Sequence, residues 1–171
     1  MADDDTPPER VPLDPHTFGE EQQCFGCGPH NHHGMQLRFF REGDEVVTTF
    51  EAREGWEGAP GIVHGGLQAT LADEIGAWTL IGLKGRFGFT SSLQLRYLRP
   101  ARADRAIEAR GRITDDLGSR VKVRIVLRQD GKRLLAGTAT YVLPTIALAE
   151  KMLEQPLPEA WHHLARPDPE G

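Results

Sequence analysis

The sequence predicts an α+β fold in which an antiparallel sheet wraps one long central helix. Two strand-like runs come first, one long helical run follows, and four further strand-like runs then succeed one another. Strands joined by short turns pair antiparallel, and a helix that is apolar on most of its surface must be buried. The order of the elements therefore places the helix inside the curve of a single sheet.

The first two strands are predicted at residues 35–40 and 46–52, with a hairpin turn at 42–44 between them. A polar, proline-bearing segment precedes them. We expect residues 1–21 to form a flexible N-terminal arm, because such a composition cannot bury enough apolar surface to fold.

The central helix is predicted from His64 to Gly82, where apolar residues dominate. Val121 and Val123 alternate with basic residues in the clearest of the later strands, which predicts one buried and one wet face. Turn signals separate the four later strands, at 87–98, 106–114, 120–128 and 133–143.

A short amphipathic helix is predicted at residues 146–154, after Pro144. We therefore expect residues 22–143 to form the folded domain. Residues 144–171 are expected to form a C-terminal short helix and tail.

Length and charge limit the classes of function. The chain has 171 residues and a net charge of −5, which suits one domain with a genuine core. Its apolar runs fall far short of the ~20 residues that a membrane span needs, and its acidic start does not resemble a signal peptide. We therefore expect a soluble, cytoplasmic protein with no membrane and no nucleic-acid partner.

Basic residues are concentrated in the middle of the chain. Residues 84–133 carry 14 basic and 5 acidic side chains, whereas residues 1–83 carry 4 and 15. This middle segment is suited to binding a polyanion, and its alternative interpretation is a solvated sheet face.

The segment GIVHGGLQATLADE at residues 61–74 is the strongest functional signal. Gly65 and Gly66 stand at the predicted helix start, where bare backbone N–H groups at the positive end of the helix dipole stabilise an oxyanion. Asp73 follows Gly66 by seven residues, close to two full turns, so both point the same way. Glu74 lies about 100° around the helix from Asp73, and Asp73 is therefore the preferred base.

Gly66 and Asp73 lie roughly 10 Å apart along the helix axis, because each residue rises 1.5 Å. One carbonyl group cannot touch both within one helix. A second, antiparallel copy would bring Gly65 or Gly66 of one subunit to Asp73 of another, which predicts a homodimer or a dimer of dimers. The plain alternative is a tight turn followed by an exposed helical acid.

Cys24 and Cys27, in CFGCGPHNHHG, allow three interpretations. They suit half of a zinc site, a redox pair, or a structural knuckle whose glycines make a tight turn. A structural zinc site usually takes two spaced ligand pairs, and the nearby histidines do not form a recognised second pair. We therefore favour the knuckle, and expect no metal and no cofactor.

The order of the elements and the segments GIVHGG, LADE, TSSLQLRYLRPA and DGKRLLAGTATYV resemble the hotdog-fold thioesterases, specifically the phenylacetate-pathway type of acyl-CoA thioesterase. The CFGCG opening resembles a subgroup with such a knuckle. The resemblance covers about residues 22–143. It implies that Asp73 is the nucleophile or general base, that the Gly65 and Gly66 amides polarise the carbonyl, and that His64 begins the helix. A histidine there can instead hydrogen-bond backbone and shape the turn.

Four further residues are expected near the substrate. Many relatives carry Asn or Gln six or seven residues before the histidine, where this chain has Glu57 and Gly58. An ionised Glu57 can accept a hydrogen bond but cannot donate one to a carbonyl. Thr90 and Ser91 begin the strand after the helix and are expected to line the same site.

The residues and the resemblance together predict hydrolysis of an acyl-CoA thioester, with Asp73 attacking directly or activating water. Arg99 and Arg102, near the LRPA turn, are the first candidates for holding the CoA phosphates. Two alternatives stay open. One is an acyl-thioester hydratase or dehydratase, and the other is a non-catalytic acyl-CoA-binding module.

Overall fold

The computed structural model describes residues 9–168. Residues 1–8 of the predicted arm and residues 169–171 of the predicted tail lie outside the described residues. Within the described part, nine strands, two α-helices and one 3₁₀ helix follow one another. They are β1 (Arg10–Pro12), β2 (Phe39–Glu42), β3 (Glu45–Phe50), β4 (Glu57–Ala59), β5 (Ile62–Val63), α1 (Gly65–Lys84), β6 (Phe89–Tyr97), β7 (Ile107–Asp116), β8 (Arg120–Gln129), β9 (Lys132–Val142), α2 (Ile146–Leu153) and the 3₁₀ helix (Glu159–Leu164).

Seven strands form one antiparallel sheet in the order β1-β2-β3-β7-β8-β9-β6. Helix α1 packs on one face of this sheet, mainly against β3, β7 and β8. The inward side chains of β8, Val121 and Val123 among them, are fully buried, while Arg120 and Lys122 face solvent. The predicted α+β architecture, a sheet around one long helix, is confirmed.

Trp78 anchors α1 to the sheet. Its side chain is buried and stacks on Phe39 of β2, with ring centroids 4.7 Å apart and planes 11° apart. Phe18, from the segment between β1 and β2, meets the same indole edge-on at 5.7 Å. The aromatic contacts therefore fix the helix against one end of the sheet and bring the N-terminal segment to it.

Helix α1 runs two residues beyond its predicted end. Gly82 lies inside the helix and does not end it. A glycine is needed there for close packing, because a Cβ would lie 2.7 Å from the Val46 side chain and 2.9 Å from that of Leu13. The helix ends instead at Gly85, whose φ of 60° is left-handed and whose N–H donates to the Ile81 carbonyl. A glycine in such a conformation is the usual helix terminator.

The first long strand starts later than predicted, at Phe39 instead of residue 35. Gln36 adopts a positive φ of 51°, which interrupts extended backbone. The N–H groups of Met35 and Leu37 donate to the carbonyls of Phe25 and Gly26. Residues 35–37 are thus bonded to the cysteine knuckle and not to the sheet.

Short elements at both ends of the chain were not predicted. Strand β1 lies within the predicted arm and pairs with β2. In the C-terminal segment, α2 occurs where a helix was predicted, but Leu157 and Leu164 are also buried in a small second core around Phe87. Trp161 reaches Phe18 in this core, with ring centroids 4.6 Å apart. Both terminal segments therefore pack together on the start of β6.

No helix among residues 9–168 is long and apolar enough to cross a membrane.

Candidate active site at the central helix

His64 shapes the start of α1. It is the N-cap residue, with φ −55° and ψ 133°, and the chain becomes helical directly after it. Its ring Nδ1 accepts a hydrogen bond from the Gly66 N–H at 2.9 Å, and its carbonyl accepts from the N–H of Leu67 at 3.0 Å. The side chain thus does what a capping residue does, which is one of the two roles that the sequence allowed for it.

The two glycine amides that were expected to hold an oxyanion differ in the structure. The Gly66 N–H is engaged by the His64 ring, so it becomes available only if that ring turns away. The Gly65 N–H belongs to the first helical residue and has no acceptor within the helix. A Cβ on Gly65 would make ordinary van der Waals contact with the Tyr97 ring, at 3.7 Å.

An open cavity of about 470 Å³ lies beside the helix start. Gly58, Gly65 and Arg99, three of the predicted site residues, line it together with Tyr97. The Tyr97 hydroxyl donates to the Gly65 carbonyl at 2.8 Å, and the Arg99 guanidinium donates to the Arg133 carbonyl at 2.9 Å. The cavity therefore combines a free helix-start amide with a cation.

Glu57 and Arg102 take part in loop structure near this cavity and are not among its lining residues. The Glu57 carboxylate accepts from the Gly61 N–H at 3.1 Å and closes the β4–β5 turn. Arg102 lies next to Gly61, and its Nε is 3.9 Å from the Asp104 carboxylate. Their predicted contact with substrate stays a prediction.

Asp73 lies two turns into α1 and is half-buried. Its Oδ1 accepts a hydrogen bond from the Thr90 hydroxyl at 2.8 Å. The Tyr141 hydroxyl donates to the Asp73 backbone carbonyl at 2.9 Å and is also within 3.5 Å of Oδ1. Ser91, in contrast, donates to the Thr140 carbonyl at 3.0 Å. Of the two predicted hydroxyls, Thr90 is therefore the one that holds Asp73.

Asp73 and the Gly65 amide do not meet within one chain. Both lie on α1, eight residues apart, which corresponds to about 12 Å along the helix axis. A carbonyl oxygen must lie about 3 Å from its hydrogen-bond donor. One carbonyl group therefore cannot contact both within a single chain.

A second cavity, of about 180 Å³, lies against α1 at Glu74, and Asp73 itself is not among its lining residues. Glu74 and Phe89, the sequence neighbours of Asp73 and Thr90, both line it. The cavity wall is mostly apolar and aromatic. Its rings belong to Phe18, Trp78, Phe87, Phe89 and Trp161.

Glu74 and the cysteine knuckle supply the polar part of this cavity wall. The Cys24 Sγ lies 3.2 Å from the Glu74 Oε1. Burial away from water, with the Cys24 charge as a further cause, raises the pKa of Glu74 to about 8. Hydrogen bonding from Cys27 lowers the pKa of Cys24, and the same contact together with burial raises that of Cys27. Both cysteines are free thiols.

Comparison with known proteins concerns the family and the fold. Residues 60–136, which include Gly65 and Asp73, match the model of the thioesterase superfamily. The resemblance to the thioesterase superfamily is confirmed. No curated protein sequence matches the chain significantly.

Solved thioesterase-superfamily structures share the fold. One such protein has a TM-score of 0.64 at 24% identity, covering 74% of this chain and 64% of its own, so this chain spans less than two thirds of that relative. A hypothetical thioesterase of Streptococcus pneumoniae, solved with coenzyme A, has a TM-score of 0.55 at 23% identity over 58% and 80% of the two chains.

A phenylacetic acid degradation-related protein of Ralstonia eutropha has a TM-score of 0.57 at 25% identity, covering 63% of this chain and 85% of its own. The hotdog fold of the thioesterase superfamily is thereby confirmed. Assignment to the subgroup with the CFGCG motif stays a prediction.

Sequence reasoning missed three side chains of the site. Tyr97 and Tyr141 bond to Gly65 and Asp73 from strands far along the chain, and Glu74 joins the cysteine knuckle. The alternation of β9 gives a signal for Tyr141, because it shares the inner face with Ala139. Spacing gives no signal for the other two.

Proposed function

We propose that this protein hydrolyses acyl-CoA thioesters at a site shared between two copies of the chain. The observation that carries the proposal is that β6 contacts two half-sites, the Asp73 carboxylate and the helix start at Gly65, one at each end of the strand. Thr90, at the start of β6, holds the Asp73 carboxylate, and Tyr97, at its end, holds Gly65.

Strand β6 is suited to pairing with a second copy. It is nine residues long, stands last in the sheet, and within residues 9–168 has β9 as its one neighbour. Most of its side chains are exposed, including Tyr97 at 53%. A long open edge strand offers unpaired backbone groups to another strand.

Antiparallel pairing of two β6 strands would join complementary half-sites. A two-fold axis between Leu93 and Gln94 places Thr90 opposite the partner subunit's Tyr97. Asp73 then faces the helix start of the second copy, and the same is true in reverse. This arrangement gives two sites per dimer. It matches the antiparallel pairing inferred from the distance between Gly66 and Asp73 along the helix axis. A dimer of such dimers is a further proposal.

The chemistry divides between the two copies. The thioester carbonyl oxygen accepts from the Gly65 amide, joined by that of Gly66 when the His64 ring turns away. Asp73 of the other copy takes a proton from water as the oxygen adds to the carbonyl carbon, or it attacks that carbon itself. In the first route the C–S bond of the adduct breaks, the carboxylic acid is released, and Asp73 returns its proton to the departing CoA thiolate. In the second route the C–S bond breaks to leave an acyl–Asp73 anhydride and CoA thiolate, and water then hydrolyses the anhydride to release the acid and restore the carboxylate. Thr90 keeps the carboxylate in place by its hydrogen bond.

The ligand class rests on charge and on the comparisons. Arg99 lines the cavity at the helix start, where it can pair with a CoA phosphate. The Streptococcus pneumoniae protein of the same fold was solved with coenzyme A. Location in the cytoplasm, where acyl-CoA is made and used, stays a prediction.

The aromatic cavity at Glu74, the residue after Asp73, is proposed to take the acyl group. Its volume of about 180 Å³ is below the ~300–1,000 Å³ of typical pockets for drug-sized ligands. This is room for a short or aromatic acyl group and not for a long straight chain. Apolar walls favour burial of such a group over solvation.

Release of free CoA thiol from a panel of short, aromatic and long acyl-CoAs tests the proposed function. We expect turnover with the short and aromatic substrates and at least about tenfold lower kcat/KM with long chains, since a tenfold loss needs only about 1.4 kcal/mol of lost fit. Folded wild-type protein that binds these thioesters without releasing thiol would instead be a binding module. Hydration of a 2-enoyl-CoA without thiol release would identify a hydratase.

A further inference from the structure

The cysteine knuckle and helix α1 together form a compact cluster of metal-binding groups. The Sγ atoms of Cys24 and Cys27 and a carboxylate oxygen of Glu74 all lie within 4.8 Å of one another. The sequence places the third group 47 residues after the second cysteine, so spacing alone could not associate them. Only folding brings the half-buried acid to the two thiols.

The backbone of the knuckle has the form of a thiolate ligand loop. The Cys27 N–H donates to the Cys24 Sγ at 3.4 Å, and the Gly28 N–H donates to the Cys24 carbonyl at 2.9 Å. A hydrogen bond to sulfur stabilises the thiolate, which is the form of cysteine that binds metal. A Cβ on Gly28 would lie 2.6 Å from the Cys24 carbonyl oxygen, so the tight turn requires glycine there.

Gly26, between the cysteines, is shaped by Glu74. A Cβ at this position would lie 2.2 Å from the Glu74 Cδ and 2.6 Å from its Oε1. The missing side chain is therefore what admits the carboxylate to the two sulfurs. An exposed acid that lay near a turn by chance would not require a glycine opposite it. The cysteine knuckle and Glu74 are therefore complementary in shape.

Distances and ligand chemistry suit one metal in particular. Tetrahedral zinc, with Zn–S near 2.3 Å and Zn–O near 2.1 Å, holds neighbouring ligand atoms about 3.6 Å apart. The Cys24 Sγ lies 3.2 Å from the Glu74 Oε1, and the whole set spans no more than 4.8 Å. Two soft thiolates beside one carboxylate suit Zn²⁺, whereas Mg²⁺ and Ca²⁺ are hard cations that take oxygen ligands.

We propose that Cys24, Cys27 and Glu74 bind one Zn²⁺ per chain, with three protein ligands and one open coordination position. All three residues line the aromatic cavity, so the fourth position is taken by water or by a ligand in that cavity. The ion ties the segment before β2 to α1, one residue from Asp73. This departs from the expectation of no metal, which looked for further ligands only among the neighbouring histidines.

Metal content of the reduced full-length protein tests the site without any reference to activity. After removal of metal and titration in a thiol-free phosphine reductant, we expect about one Zn²⁺ per chain, and loss of this stoichiometry in Cys27→Ser and Glu74→Gln. The wild-type protein loaded with Co²⁺ should show the near-ultraviolet absorption of a thiolate–cobalt bond. This spectrum needs no variant and so does not depend on how the variants fold.

A second cluster supplies the matched control. His16, Glu20 and His30 also lie within 4.8 Å of one another, but Glu20 and His30 are exposed. His30→Asn should keep the full zinc stoichiometry. Metal lost in His30→Asn and kept in Cys27→Ser would place the ion on the histidines and overturn the proposal. So would folded protein with two titratable thiols that binds neither Zn²⁺ nor Co²⁺ through sulfur.

Discussion

Asp73→Asn is expected to lower kcat for acyl-CoA hydrolysis by about 10²–10⁴-fold, the usual contribution of a positioned base. The amide keeps the size of the carboxylate, and its oxygen can still accept from Thr90, whose hydroxyl lies 2.8 Å from Oδ1. It cannot take a proton from water or attack a carbonyl as a carboxylate does. KM and the midpoint of urea unfolding should therefore change little. Steady-state thiol release and binding of a non-hydrolysable acyl-CoA analogue separate the two effects.

Asp115→Asn is the matched control, because Asp115 is half-exposed and has one loose ion pair, 3.7 Å from Lys122. It should leave kcat within about twofold, since surface ion pairs contribute little. Unchanged turnover in Asp73→Asn would remove Asp73 from the chemistry. An equal loss of affinity and turnover would make it a binding residue.

Gly76→Ala is expected to lower the free energy of unfolding by about 1–3 kcal/mol, the usual cost of overpacking a core. Helix propensity alone predicts the opposite sign, a gain of roughly 1 kcal/mol. Steric overlap with Tyr141 outweighs helix propensity, because a Cβ on Gly76 would lie 2.1 Å from the hydroxyl oxygen of Tyr141, which is fully buried. That hydroxyl also bonds to the Asp73 carbonyl. Urea unfolding measures the loss, and a fall in kcat should accompany it.

Tyr141→Phe provides the background that isolates this contact. Without the hydroxyl, the nearest atom to the new methyl group is the ring carbon Cζ, at 3.0 Å. Gly76→Ala should then cost less, and a double-mutant cycle should give a coupling of at least about 1 kcal/mol, within the range for residues in contact. Additive effects of the two substitutions would mean that the hydroxyl does not limit the space beside Gly76.

The main architecture was predictable because it rests on periodicity. In β8, residues two apart share a face, and Val121 and Val123 are buried as the alternation predicts. The long apolar run likewise predicts α1. Its end was misplaced because Gly82 looks like a terminator in sequence, while in the fold it admits Val46 and Leu13. A glycine needed for close packing and a glycine needed for a left-handed turn are identical in sequence.

Short elements were not predicted from the sequence for a related reason. Strand β1 has three residues and β5 has two, too few for any period to be visible. Each exists because a neighbouring strand supplies its partner. In the same way, the 3₁₀ helix packs against Phe18 through Trp161, a contact across 143 residues that no local pattern contains.

The site was predictable where its residues share one helix. The fixed rise of α1 gives the spacing of Gly66 and Asp73, and from this spacing follows the prediction of a second copy. The side chains that fix these groups come from β6 and β9. Thr90 was expected near the substrate, and its hydroxyl donates a hydrogen bond to Asp73, whereas Tyr97 and Tyr141 were not considered. Their pairing depends on sheet register, which a sequence sets only indirectly.

Subunit complementation tests the central claim, that each site takes Asp73 from one copy and the Gly65 amide from the other. Gly65→Val should crowd the approach to its amide, and the Cβ itself fits, because its nearest contact is the Tyr97 ring at 3.7 Å. Urea unfolding of the variant checks that the chain still folds. Each of Gly65→Val and Asp73→Asn should be nearly inactive alone. Equal mixing gives one intact site in each hybrid dimer, and we expect about a quarter of wild-type activity. Hybrid dimers, demonstrated by differently tagged chains, that show no more activity than the separate variants would contradict the shared site.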